Sequence, residues 1–466
     1  MVIKKFFIPA VIILFLFVSF PKMINYPPYG DASMNYLNSY LMNFSNFIEI
    51  MNNHGHPIVW YLVMMPFAKT GIFYPYSILI LNYACIFAAI LIMLFKAPFN
   101  GIIKIAFIFS PIVLTYFAIV PRCYSIGILG LFILASMFKN QLKKPVLYSV
   151  IMGLTANTSA IAAIGVSGFL LLFIYNFFKN FGYIAKNCIG RWISAFFIIA
   201  VSIIMLVMPH LSTGRSALAD DLFIDQVKDF FYNPVFSILY IIVCLIILFN
   251  KNSDYDTKNE PEFWQSKFFF IYTITVMWLF MYIAWRCQPY HRYFFYIYIV
   301  IAIWLQNDFK ACNNLKSIIF TIIFVLMTAF MQPFYSGDEE FLQGLSGLKI
   351  DMLKNKTKYE NSVVIFTDYS AADAMAPYLL HRNVIMYSGT DILDYRLMIK
   401  KLEELEEMEA EKIAEIAALY DRPLYIAVLA DAECLPYINF SERINGEKSF
   451  PLYENFKNSV CIYKIR

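Results

Sequence analysis

One carboxylate in the long stretch that follows the first apolar run comes directly behind a Pro-rich turn. It is Asp31, in Gly30-Asp31-Ala32-Ser33. A carboxylate fixed there can act as a general base toward a hydroxyl group. It can equally cap a helix that starts at Ala32, since Asp is a favoured N-cap, and the two roles are compatible. His54 and His56 follow, ahead of Pro57, where the chain re-enters apolar sequence. A His-x-His pair could ligate zinc, but no Cys, Glu or third His stands nearby at helical spacing; interfacial polarity is the plainer reading. Arginines gather at two short corners. Arg122 lies in Val-Pro-Arg-Cys-Tyr-Ser, and Arg286 and Arg292 flank His291 in Trp-Arg-Cys-Gln-Pro-Tyr-His-Arg, with Tyr124, Tyr290 and Tyr293 beside them. Guanidinium groups bind phosphate oxygens through paired hydrogen bonds, so these corners suit an anion. The alternative is that each arginine merely snorkels at a helix end.

The elements that must position these residues are apolar. The chain has 466 residues, 60% hydrophobic and 15% charged, with mean hydropathy +0.60. Soluble globular proteins hold about 45–50% apolar residues, so the composition indicates an α-helical polytopic membrane protein. A net charge of +4 points to no nucleic-acid partner. The eight cysteines show no CxxC and no zinc spacing; most read as buried thiols, while Cys434 and Cys461 could pair in an extracytoplasmic segment. Runs suited to spanning a bilayer are 5–21, 73–95, 100–119, 122–138, 146–160, 161–178, 192–209, 234–249, 267–285, 292–306 and 315–331, about eleven transmembrane helices in all. The basic start before the first run has no small-x-small cleavage site behind it, and reads as a retained span with a cytoplasmic N-terminus.

The short run 56–69 decides every later orientation. Kept on the outer side as an interfacial helix, it puts the Lys-rich stretches 139–145 and 179–191 inside, as the positive-inside rule requires. The outer side then receives loop 22–72, the two arginine corners, residues 210–233 and everything after 332. Arg122, Arg215, Arg286 and Arg292 thus lie where positive charge should be scarce, which is reason to expect an anion there. Two domains are expected: a membrane domain over 1–335, with 22–72 as its functional outer loop, and an extracytoplasmic α/β domain over 340–466. In the latter, 362–368, 383–388, 423–430 and 460–465 read as strands, with helices over 371–380 and near 391–420.

The order Asp31, then His56-Pro57 before an aromatic-apolar run, then Ser110-Pro111 leading to Arg122-Cys123-Tyr124-Ser125, then Arg292-Tyr293, resembles the GT-C superfamily of membrane glycosyltransferases. Within it the chain resembles the bacterial branch related to protein O-mannosyltransferases and the lipid A aminoarabinose transferase. The resemblance spans roughly residues 1–330. It implies transfer of a sugar from a polyprenyl-phosphate donor to an acceptor on the outer face of the cell's inner or plasma membrane, with inversion and Asp31 as base. It also implies that Arg122, Arg286, His291 and Arg292 hold the departing phosphate, and that His54, His56, Tyr124 and Tyr290 line the substrate. Related first loops carry acid pairs, whereas Asp31 is followed by Ala32 and the 121–125 corner has no acid; this departure argues against a tightly bound divalent metal. No other cofactor is indicated. Sugar and acceptor, whether glycan, lipid or protein, are not specified.

Two other readings fit the same composition. A lipid-linked sugar transporter or flippase would line its path with the arginines, but no internal repeat is evident and the ionisable residues sit at span ends. A surface-polysaccharide polymerase or ligase would use a diphosphate carrier; the early Asp loop weighs against it.

Overall fold

The computed structural model describes residues 2–54, 57–207, 227–228, 230–231, 233–249, 263–283, 289–306, 315–331, 339–355, 357, 359–366, 369–388, 391–392, 418–429, 452–455 and 460–464. These are mostly helical, with a small sheet. The apolar runs become α1 (Val2–Asn25), α5 (Tyr76–Lys96), α6 (Gly101–Ile108), α7 (Tyr124–Met137), α8 (Pro145–Ala156), α9 (Ala160–Lys179), α11 (Ile189–Val207), α12 (Pro234–Phe249), α13 (Phe263–Ile283), α14 (Tyr293–Gln306) and α15 (Leu315–Ala329). Among the described residues, four helices are long and apolar enough to cross a membrane: Phe6–Asn25 of α1, and α5, α9 and α11. Between them lie the shorter α2 (Asp31–Leu41), α3 (Phe47–His54), α4 (Ile58–Thr70) and α10 (Phe181–Asn187). The chain divides into two compact units, one of Met1–Met23, Gly55–Trp60 and Leu81–Phe334, the other of Ile24–His54, Tyr61–Ile80 and Tyr335–Arg466.

In the first unit, α14 is the core helix. Every one of its residues from Tyr293 to Gln306 is buried, and its apolar, aromatic composition on all sides suits a helix packed all round. Small residues let helices of this unit close up. A Cβ on Gly153 of α8 would lie 2.1 Å from the Ser202 hydroxyl of α11, and one on Gly165 of α9 would lie 2.8 Å from Leu131.

The run 100–119 is not one straight helix. Ser110-Pro111 interrupts it, because a residue before proline is driven out of the helical region and proline itself donates no hydrogen bond. After the break the Ser110 hydroxyl accepts from Val113 N, Thr115 donates back to the Pro111 carbonyl, and Val113–Phe117 forms a π-helical turn that ends at the Arg122 corner.

The second unit carries a six-stranded sheet in the order β3-β2-β1-β4-β6-β5. Its strands are β1 (Val363–Phe366), β2 (Ile385–Ser388), β3 (Asp391–Ile392), β4 (Leu424–Leu429), β5 (Leu452–Asn455) and β6 (Val460–Lys464). β1 runs parallel to both β2 and β4, with Val363 opposite Ile385 and Leu424. The other pairings are antiparallel. The fully buried Val-Val-Ile-Phe of β1 is the continuous apolar run that an inner parallel strand requires. Helices α16 (Glu339–Lys354) and α17 (Tyr369–Leu379) accompany the sheet. The helix expected near 391–420 instead begins with strand residues Asp391 and Ile392, paired with Ser388 and Tyr387; 393–417 lie outside the described residues. Met34 and Leu37 of α2 share one core with Leu345, Leu348, Met375, Leu379 and the strand residues Val364 and Phe366. Segment 24–54 thus packs as part of the unit that holds the sheet.

Candidate functional site

In the first unit the two arginine corners meet. The chain reaches Arg122 from the π-helical turn, and the buried Asn82 of α5 holds both sides of that step. Its Nδ2 donates to the Phe117 carbonyl at 3.0 Å, and its Oδ1 accepts from the Arg122 backbone N–H at 3.3 Å. The Ser125 hydroxyl then donates to the Arg122 carbonyl at 3.1 Å, closing the first turn of α7. Across from it, Pro289–Arg292 forms a 3-10 turn leading straight into α14. Tyr124 OH and His291 Nε2 share a hydrogen bond of 2.8 Å, with their rings edge to face at 5.8 Å. Aromatic packing reinforces the junction: Tyr293 lies against Tyr116 and Phe117, and Phe294 against Phe117 and Tyr124.

The contact joins Tyr124 to His291, 167 positions apart in sequence; Arg122 stands two positions before the first and Arg292 directly after the second. Arg122 is half-buried and Arg292 is 5% exposed. Each precedes a helix, α7 or α14, whose first N–H groups carry partial positive charge. Cationic side chains and two helix N-termini are the ingredients of an anion site. Asn82 is the residue that sequence reasoning passed over; its signal was a lone amide inside an otherwise apolar 21-residue run.

In the second unit, Asp31 opens α2. The N-cap is Gly30, with φ 60° and ψ −140° and no side-chain capping bond, so the helix starts one residue earlier than expected and Asp31 sits in its first turn. Glycine is at ease at such a positive φ, and a first-turn carboxylate gains from the helix dipole. Asp31 is half-exposed, whereas residues 32–39 behind it are all buried. Tyr36 OH donates to the Phe67 carbonyl at 3.0 Å and its ring packs 4.5 Å from that of Tyr74. Burial pushes the Tyr36 hydroxyl up to about 12, which keeps it a donor. Lys349 Nζ donates to the carbonyls of Ile24 at 2.6 Å and Tyr26 at 3.0 Å, and lies 5.1 Å from the Tyr76 ring centre. It thus satisfies carbonyls at the end of α1 and at the start of the segment leading to Asp31. Burial lowers Lys349 to about 8.

His54 is the last residue of α3, and Tyr290 lies in the 3-10 turn. His56, Arg286 and Cys434 lie outside the described residues, as do His210 and Arg215. Among the described residues, no group of three or more His, Cys, Asp or Glu comes together in a way that could hold a metal ion. No protein-family model matches the chain, and no curated protein matches it.

Proposed function

We propose that this protein is an integral membrane glycosyltransferase of the GT-C type, which moves a sugar from a polyprenyl-phosphate carrier to an acceptor on the outer face. The observation that carries the reading is the Tyr124–His291 hydrogen bond, which joins the Arg122 and Arg292 corners at the N-termini of two helices. A cationic cradle of this kind suits a phosphate at a bilayer surface. In the proposed step the acceptor oxygen attacks the anomeric carbon, the bond from that carbon to the phosphate oxygen breaks, and the phosphate leaves with the electron pair. The family resemblance assigns the acceptor proton to Asp31. A phosphate leaving group needs no general acid, so one carboxylate and one cationic clamp suffice, in contrast to the paired carboxyls of glycosidases. Attack from the face opposite the phosphate inverts the centre. Arg286, His54, His56 and Tyr290 complete the proposed donor and acceptor contacts, with the N-terminus cytoplasmic and the sheet-bearing unit outside.

The test is transfer from a panel of polyprenyl-phosphate sugars in proteoliposomes, comparing the unsubstituted protein with Asp31→Asn. Turnover with one donor, lost in the variant while folding and insertion persist, supports the assignment. Labelled lipid flipping without transfer, unaffected by the variant, would replace it with a flippase.

A further inference from the structure

The turn between α4 and α5 places apolar side chains outward at a conformational cost. Gly71 has φ 65° and Phe73 has φ 55°. Glycine takes the first without penalty; for a phenylalanine the left-handed region costs roughly 1–2 kcal/mol and persists only where the surroundings enforce it. The surroundings here do so from both sides. A Cβ on Gly71 would lie 2.3 Å from the His381 ring, and His381 Nε2 hydrogen-bonds the Ala68 carbonyl at 2.8 Å. After the turn, the Tyr74 ring is packed between those of Tyr36 and Tyr378, at 4.5 and 4.8 Å. Between these fixed points, Ile72 is 47% and Phe73 76% exposed. On the preceding helix Leu62 and Pro66 also face outward, as does Lys69.

Leaving a phenylalanine in water forgoes about 1.5–3 kcal/mol of burial. Strain and exposure on one residue point to an apolar partner beyond this chain. Chain length says what that partner is. α5 begins at Tyr76, and its 21 residues span about 32 Å at 1.5 Å each, close to the roughly 30 Å of a bilayer's hydrocarbon core. Phe73 precedes its first residue by three positions, within about 10 Å of fully extended chain, so it lies at the edge of the bilayer that α5 enters. Tyr74 and Tyr76 are of the type found at that depth, while the Lys69 ammonium is held within the unit by the Tyr40 carbonyl and ring.

We propose that the Gly71–Phe73 turn, with the outer face of α4, is a lipid-docking surface that holds the second unit against the membrane interface. This rests on α5 as a span and does not depend on the transferase reading.

The test uses the full chain in vesicles of phosphatidylethanolamine and phosphatidylglycerol. A nitroxide is placed at Phe73→Cys or Ile72→Cys, with Glu360→Cys as an aqueous reference and Ile80→Cys as a lipid reference. The signal from unsubstituted protein treated alike is subtracted, and relative collision with oxygen and with a water-soluble nickel chelate is read by power saturation. The expected result is a shift of the oxygen-to-nickel ratio at 72 and 73 away from the Glu360 value toward the Ile80 value. A ratio equal to that at Glu360 would overturn the proposal in favour of solvent. Low collision with both agents would overturn it in favour of a protein contact. A water-like Ile80 label would remove the span on which it rests.

Discussion

The hydrogen bond between Tyr124 and His291 can be weighed by a double-mutant cycle. Tyr124 is 2% exposed, and its ring also packs against Phe294. Tyr124→Phe keeps that packing and removes only the hydroxyl. It removes the hydroxyl's hydrogen bond to the half-buried imidazole, a loss of about 1–3 kcal/mol. If the bond aligns both arginine corners on the departing phosphate, the loss falls on the transition state. At about 1.4 kcal/mol per factor of ten, kcat/KM should drop roughly 10- to 100-fold. His291→Ala should cost at least as much, and the double variant little more than the worse single, a coupling of about 1–2 kcal/mol. Initial rates in proteoliposomes, with thermal unfolding alongside, supply the numbers. Wild-type transfer by Tyr124→Phe, or strictly additive losses in the double variant, would refute the idea that the two corners act as one site.

The other substitutions probe what positions the site. Asn82→Leu removes both bonds that hold Phe117 and Arg122; we expect kcat/KM to fall by about tenfold or more, corresponding to 1–2 kcal/mol, with insertion intact by protease protection. Lys349 should make the stability of the second unit pH-dependent. Its folded value near 8 lies below the roughly 10.4 of an unfolded lysine. Between those values the unfolded chain binds more protons, so this lysine's contribution rises with pH across the window and is lost as pH falls through 8. After allowance for solvent screening the amplitude is about 2 kcal/mol, seen as an unfolding temperature that climbs from pH 7.5 to 10 in the parent and not in Lys349→Met. Gly71→Ala must adopt a positive φ and push aside the His381 ring, so the unfolding temperature should fall by an amount equivalent to about 1–3 kcal/mol.

Helix positions were legible wherever apolar length decided them. The run 234–249 coincides with Pro234–Phe249, and 73–95 with Tyr76–Lys96. Strands at 363–366, 385–388, 424–429 and 460–464 lie inside their expected segments because β-rich apolar runs bounded by polar turns leave little choice. The break at Ser110-Pro111 carried its own signal, yet hydropathy averages across a single proline. The early start of α2 depends on the positive φ of Gly30, which a helix-capping rule based on side chains does not register. Three features depend on distant partners: Asn82 clamping Arg122, Tyr124 meeting His291, and Met34 and Leu37 entering the core of the sheet. Local periodicity reports which face of a segment is buried, but not what covers it. The candidate site could therefore be nominated residue by residue from sequence, whereas its joining at the Tyr124–His291 contact required the fold.

The shared core of α2 and the sheet has a consequence for synthesis. Met34 and Leu37 emerge from the ribosome some three hundred residues before the Leu345, Leu348, Met375 and Phe366 that bury them. Domains commonly fold as their sequence appears, but the segment bearing Asp31 must wait for nearly the whole chain to be translated. A polypeptide interrupted before β1 could insert its apolar helices and still leave α2 with an uncovered apolar face, and so be recognisable to quality control as unfinished.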